Sequence, residues 1–155
     1  MDAFFLLPDA QLLAQCRFEA FRGSGPGGQK RNKTSSSVRL THEPTGFAAT
    51  AGESRSQQQN RMLALRRLRH RLALEIRGPF VKRKLSLDIS LRSAEYLVVM
   101  SWVLDALAES GWSISEAAAR VGTSTAQLSG FLRRDEKLWA HVNQNRAKAG
   151  LKGLV

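Results

Sequence analysis

Residues 23 to 34 read GSGPGGQKRNKT, which sets four glycines and a proline ahead of a single glutamine and surrounds that glutamine with positive charge. Gly23, Gly25, Gly27 and Gly28 leave the backbone free to turn and let another molecule come close to the main chain. The amide of Gln29 does not titrate, so it is neither a general acid nor a general base. It can orient a water molecule, and its backbone N–H can stabilise negative charge growing on an oxygen in a transition state. Such equipment suits hydrolysis of an already activated ester. Lys30, Arg31 and Lys33 suit the phosphates of an RNA carrying that ester. The plain alternative is a flexible surface loop. A dinucleotide-binding turn would need a helix directly after the glycines, and a P-loop would need Gly-Lys-Ser or Gly-Lys-Thr, which this stretch lacks.

No other nucleophile kit is legible. His42, His70 and His141 have no acid or cysteine at ligand spacing, and no Ser-His-Asp set can be picked out, so neither metal nor cofactor is expected. The single cysteine, Cys16, cannot form an internal disulfide; it is expected to be a reduced, half-buried strand residue.

Regular elements must hold the glycine stretch. CRFEAFR alternates Cys16, Phe18 and Ala20 with Arg17, Glu19 and Phe21, and SVRLTH alternates through Val38, Leu40 and His42. Both patterns predict half-buried strands. EPTG reads as a turn and FAATA as a returning antiparallel strand, which together make a small sheet. A long helix follows: Ser56 and Gln59 have capping-box spacing, Met62, Leu65, Leu68, Leu72 and Ile76 form its apolar stripe, and Gly78-Pro79 stops it. Its other face carries Arg61, Arg66, Arg67, Arg69 and Arg71. No acid occurs there before Glu75, so mutual repulsion argues for an anionic partner, against the plainer reading of a solvated helix face.

The formal net charge is +11, and it is unevenly placed. Residues 1–92 hold 17 Lys and Arg against 7 Asp and Glu, whereas residues 93–155 hold 7 against 6, so the polyanion-facing half is the first one. VKRKLSLDIS, near residue 85, reads as a basic linker. A second, mostly apolar helix is expected from about residue 93 to 110. SISEAAARVGTSTAQLSGFL then resembles a helix-turn-helix unit, with capping boxes at Ser113/Glu116 and Ser124/Gln127 and Gly122 at the turn. Residues 123–132 contain no Lys or Arg and only Gln127 as an amide, which favours packing or protein docking over DNA reading. Trp102, Trp112 and Trp139 all fall in this half and are expected to be core residues. Asp2 near the start and the lack of a basic n-region argue against a secretion signal, and no apolar run approaches the roughly 20 residues that span a bilayer. A cytoplasmic monomer is expected.

FRGSGPGGQ, then Asn32, Thr34 and Ser37, VRLTHEPTG, and RSQQQN followed by AL and LRHRL occur in one order over about residues 12 to 77. This set resembles the catalytic GGQ domain of the bacterial and organellar peptide-chain release factors and the related ribosome-rescue hydrolases. The resemblance implies that Gly27, Gly28 and Gln29 promote hydrolysis of the peptidyl-tRNA ester in the peptidyl-transferase centre. The glutamine N–H would stabilise the leaving oxygen while its side chain selects water as nucleophile. It also implies the ribosome, peptidyl-tRNA and rRNA as partners, and a Gln29 open to methylation. One departure is plain: Lys30-Arg31 follow the triplet, where the family usually has His-Val. Only 26 residues precede Gly27, so no codon-reading domain is expected ahead of it.

The expectation is therefore an α+β protein. Residues 1–80 form a GGQ domain in which a small antiparallel sheet is packed by a long helix, residues 81–92 form a basic linker, and residues 93–155 form a small all-α, helix-turn-helix-like domain. Its expected activity is codon-independent peptidyl-tRNA hydrolysis. Lys30, Arg31, Lys33 and the five helix arginines would touch RNA, and residues 93–132 would be open to a protein partner. A non-hydrolytic ribosome- or tRNA-binding factor is the alternative, and a DNA-binding regulator the third choice.

Overall fold

Period-two alternation is clearest in the central strand of the sheet, whereas Phe18 of the strand before it is exposed. In strand β2 (Ser37–His42), Val38, Leu40 and His42 share the buried face and Arg39 stands exposed on the other. The computed structural model describes residues 3–22 and 36–155. Strand β2 lies between β1 (Cys16–Phe21) and β3 (Ala48–Ala51), antiparallel to both. Cys16 faces His42 at one end of the β1–β2 ladder and Phe21 faces Ser37 at the other. The turn at EPTG closes with Gly46 at φ 78°, its N–H donating to the His42 carbonyl at 2.7 Å.

The described residues divide into two compact units, Met1–Leu72 and Ala73–Val155. In the first, helix α1 (Asp9–Ala14) precedes the sheet and sends Leu12 fully into the core. The Cys16 Sγ donates to the Leu12 carbonyl at 3.2 Å, and burial, with Glu43 nearby, pushes its thiol pKa up. Helix α2 (Gln57–Glu75) contributes Ala64, Leu65, Leu68 and Leu72 to the same core. The expected stripe began at Met62, which is 39% exposed. Met62 lies one turn before the exposed Arg66 on the same side of the helix, so Ala64 takes the inward place.

The cap of α2 also differs from a simple box. Ser56 Oγ accepts from Gln59 N at 3.2 Å, but the Gln59 side chain accepts from the Ser54 hydroxyl, and Ser54 Oγ takes the Ser56 N–H. A relay through Ser54 replaces the reciprocal bond.

The second unit contains helices α3 (Tyr96–Glu109), α4 (Ile114–Val121), α5 (Thr125–Arg133) and α6 (Glu136–Lys148). Helix α3 is buried on most sides, through Val99, Met100, Val103, Leu104 and Leu107 among others. It ends where Gly111 and Trp112 turn to positive φ, 61° and 67°. Trp102 is core, whereas Trp112 and Trp139 are only half-buried; Trp139 lies under the Arg133 guanidinium at 5.3 Å. Ser124 and Gln127 complete a capping box on α5, and Gly122 adopts φ 86° at the turn. Ser113 caps α4 through Glu116 N alone, because its own N–H donates to the Ser110 carbonyl.

Residues 76–95 form no helix or strand. Trp102 Nε1 donates to the Val81 carbonyl at 2.9 Å, and Arg134 donates to the carbonyls of Leu87 and Ile89. Lys82, Arg83 and Lys84 remain exposed. Arg77 donates to Asp105 and to the Ser101 carbonyl, each at 2.9 Å, and burial raises the Asp105 pKa. Among the described residues no helix is long and apolar enough to cross a membrane.

Candidate functional site

Gly27, Gly28, Gln29, Lys30, Arg31 and Lys33 lie outside the described residues. The frame that holds both ends of that stretch is described. Phe21 and Ser37 are the last pair of the β1–β2 ladder, so β1 ends and β2 begins at the same end of the sheet. Ser36 and Ser37 are buried there, although serines are mostly exposed.

Asn60, from the first turns of α2, explains how Ser36 is accommodated. Its side chain is fully buried. Nδ2 donates at 2.8 Å to the Ser36 carbonyl and at 2.8 Å to the Ser54 carbonyl, while Oδ1 accepts from Ser54 N at 3.0 Å. Gly52 approaches the same place from β3: a Cβ there would sit 2.5 Å from Ser37 Oγ. The residues at this end of the ladder are therefore tightly fitted, and Asn60 satisfies the Ser36 carbonyl.

The five helix arginines are less alike than their spacing implies. Arg67 donates to the Thr50 carbonyl and to Glu53, and that hydrogen bond lowers the Glu53 pKa. Arg69 donates to the Phe5 carbonyl and to Asp9 at 2.7 Å. Arg71 donates to the Ala48 carbonyl and lies over the Phe47 ring at 5.2 Å. Arg61 is half-buried with its guanidinium over Phe18 at 5.5 Å, and its Nε has no partner among the described residues. The repulsion that argued for an outside anion is thus relieved largely within the fold. Arg66 is exposed and makes no hydrogen bond or ion pair with any described residue.

His42 is structural in its surroundings. It is fully buried, with Nδ1 2.8 Å from the Thr45 hydroxyl and Nε2 2.7 Å from Gln15 Oε1. Gln15 Oε1 can only accept, so Nε2 carries the proton and Thr45 donates to Nδ1. Desolvation lowers its pKa. Among the described residues no group of three or more His, Cys, Asp or Glu side chains is placed to hold a metal ion.

A family model described as the RF-1 domain matches residues 12–85, the segment that runs from α1 through the sheet and α2. Residues 12–85 are thus similar to the GGQ-containing domain of the release factors. Peptide chain release factor 1 of Kineococcus radiotolerans is 57% identical over 56 residues, covering 36% of this chain and 16% of that relative. Peptide chain release factor 2 of Variovorax paradoxus is 54% identical over 59 residues, covering 38% and 16%. For peptide chain release factor 2 of an Arthrobacter species the values are 50% over 68 residues, covering 44% and 17%. The chain thus spans about a sixth of the length of these relatives.

Residue types alone point neither to Asn60 nor to the N-terminal helix. Asn60 had one signal, its place in RSQQQN, and no periodicity marks a buried amide. In the second unit, Gln127, the one amide on α5 with which a DNA reader could address bases, has its Oε1 occupied by the Ser124 N–H and the Thr123 hydroxyl. That bond keeps the side chain at the helix start and weakens the DNA-reading alternative further.

Proposed function

We propose that this chain promotes hydrolysis of the peptidyl-tRNA ester on the ribosome, without reading a codon, and so frees stalled ribosomes. The observation that carries the reading is the match of residues 12–85 to the RF-1 domain, a span that includes the Gly27-Gly28-Gln29 triplet between β1 and β2. Water attacks the ester carbonyl carbon, the bond to the tRNA ribose oxygen breaks, and the products are a free peptide acid and a tRNA hydroxyl. Gly27 and Gly28 shape the approach, the Gln29 N–H stabilises the oxygen that gains charge, and its side chain admits water. Lys30, Arg31, Lys33 and the cationic face of α2, Arg66 foremost, contact RNA phosphates. The helical unit supplies the recognition that a codon would otherwise give, by docking on a protein or RNA surface of the stalled particle.

The test is a peptide-release assay on ribosomes stalled without a stop codon, comparing the native chain with Gln29→Ala and Gly28→Ala. Native release with a fall of about 100-fold or more in Gly28→Ala supports the reading, on the scale of a lost oxyanion donor. Native chain that binds the ribosome yet releases nothing favours a non-hydrolytic binding factor instead. The Lys30-Arg31 pair beside the triplet is the specific feature that keeps that second reading in view.

A further inference from the structure

We propose that residues 79–90 are a strap laid on the helical unit, and that the strap presents Lys82, Arg83 and Lys84 to RNA phosphates. The inference rests on the ribosome reading above and gives the helical unit RNA as its partner. The strap belongs to that unit, Ala73–Val155, and is pinned on both sides of the three cations. Ahead of them, Phe80 stacks on Trp102 with ring centroids 5.7 Å apart, the Phe80 N–H donates to Glu109 at 2.9 Å, and Trp102 Nε1 donates to the Val81 carbonyl at 2.9 Å. Behind them, Arg134 donates to the carbonyls of Leu87 and Ile89. None of these pins uses a side chain of residues 82–84. From residue 84 onward exposure alternates: Lys84, Ser86, Asp88 and Ser90 are exposed, while Leu85, Leu87 and Ile89 are half-buried. That period of two gives the strap an apolar edge, and Leu85 and Leu87 line one groove with Val121 and Phe131.

The three cations are left for an outside partner. Arg77, Arg120, Arg133, Arg134 and Arg146 each donate to an acceptor inside the unit. Lys82, Arg83 and Lys84 are exposed and make no hydrogen bond or ion pair with any described residue. Residues 93–155 hold 7 Lys and Arg against 6 Asp and Glu, so the helices behind the strap are close to neutral and do not offset its three neighbouring charges. A phosphate polyanion relieves their mutual repulsion and releases its own counterions as it binds. Because the strap is already pinned, little conformational freedom is lost on binding. An anionic membrane also attracts such a run, but it takes up apolar side chains along with the charges. Here Phe80, Leu85, Leu87 and Ile89 are half-buried, and of the strap's large apolar side chains Val81 alone is exposed, at 61%. RNA is therefore the partner that the strap fits.

The experiment titrates the full native chain and the triple variant Lys82→Ala/Arg83→Ala/Lys84→Ala with stalled ribosomes across a salt series. At about 0.1 M salt the triple variant should bind about 10- to 100-fold more weakly, and its plot of log affinity against log salt should be flatter by about two to three ions. Each single alanine variant should flatten the slope by about one ion. Because these side chains bond to no described residue, the fluorescence transition of the triple variant under denaturant should match the native one. Lys82→Arg/Arg83→Lys/Lys84→Arg keeps every charge and should keep the native slope. An unchanged slope in the alanine variants, or an equal loss in the charge-preserving variant, overturns the proposal.

Vesicles of equimolar phosphatidylglycerol and phosphatidylcholine supply the competing surface. Salt-sensitive vesicle binding that the triple variant loses, with ribosome slopes alike in native and variant chains, would put the strap on a membrane and overturn RNA as its partner. Native chain that does not bind ribosomes overturns the ribosome reading itself. Native chain that binds ribosomes and releases peptide, with the triple variant alike in slope, overturns only the role of the strap.

Discussion

The two units are held together by different kinds of force. Four of the five buried polar residues among those described, Ser36, Ser37, His42 and Asn60, lie in the sheet-bearing unit, and only Ser110 lies in the helical one. The helical unit instead packs a wide apolar core around α3, in which Met100, Val103, Leu104, Ala106 and Leu107 are all fully buried. Hydrophobic burial is non-directional and tolerates small shifts, whereas a buried hydrogen bond is costly to misalign. The sheet-bearing unit therefore fixes geometry with directional bonds, and the helical unit secures stability with area.

This contrast can be broken experimentally because all three tryptophans lie in the second unit. Tryptophan fluorescence reports that unit, and the backbone amide resonances of β1, β2 and β3 report the first. The largest effect is expected from Leu104→Ala, which empties a fully buried site on α3. A loss of about 2–5 kcal/mol should appear in the fluorescence transition under denaturant. If the loss is below about 1 kcal/mol, the area-driven account of the helical unit is wrong.

His42→Phe tests the other side of the contrast. It leaves Gln15 Oε1 and the Thr45 hydroxyl without their ring partner, at a cost of about 1–3 kcal/mol in the first unit. It should also change the pH dependence. Burial lowers the pKa of His42 in the folded state, so the unfolded chain takes up the proton first as pH falls. The stability His42 provides is complete above about pH 6.5, the unfolded value, and is lost as pH falls from there through the folded pKa. His42→Phe should flatten that acid limb in the transition followed by the strand amide resonances. His141 is lowered by desolvation too and adds a limb of the same sign, but in the fluorescence transition, which His42→Phe should leave alone.

What the sequence made legible is local. Strand alternation marked Cys16–Phe21 and Ser37–His42 because a period of two is visible within one segment, and cap residues marked Ser113 and Ser124 because their partners lie within four residues. What it hid is long-range. Helix α1 is short and carries no cap signature, yet Leu12 enters the core, Gln15 just beyond it meets His42, and Asp9 meets Arg69 across 60 residues. The arginine run could be counted but not apportioned, since the acceptors of Arg67, Arg69 and Arg71 include backbone carbonyls, which every residue possesses. Of the candidate site, Gly27–Gln29 is an expectation from residue types and lies outside the described residues, whereas the Asn60–Ser36 bond depends on a fold that brings residue 60 to residue 36.

The smallest effect on stability is expected where the first unit's cations differ most. Arg66 and Arg67 are adjacent and carry the same charge, but Arg67 holds Thr50 and Glu53 while Arg66 holds no described residue. Arg67→Ala should therefore destabilise the first unit by about 0.5–1.5 kcal/mol through its carbonyl bond, the exposed ion pair adding little. Arg66→Ala should stay within about 0.5 kcal/mol. Binding should invert the order. With ribosomes titrated against salt, Arg66→Ala should flatten the dependence of log affinity on log salt by about one ion, the signature of a lost phosphate contact, and Arg67→Ala by less. Equal slopes for the two variants would mean that the internal partners of Arg67 do not compete with RNA, and the division between structural and RNA-facing arginines on α2 would have to be abandoned.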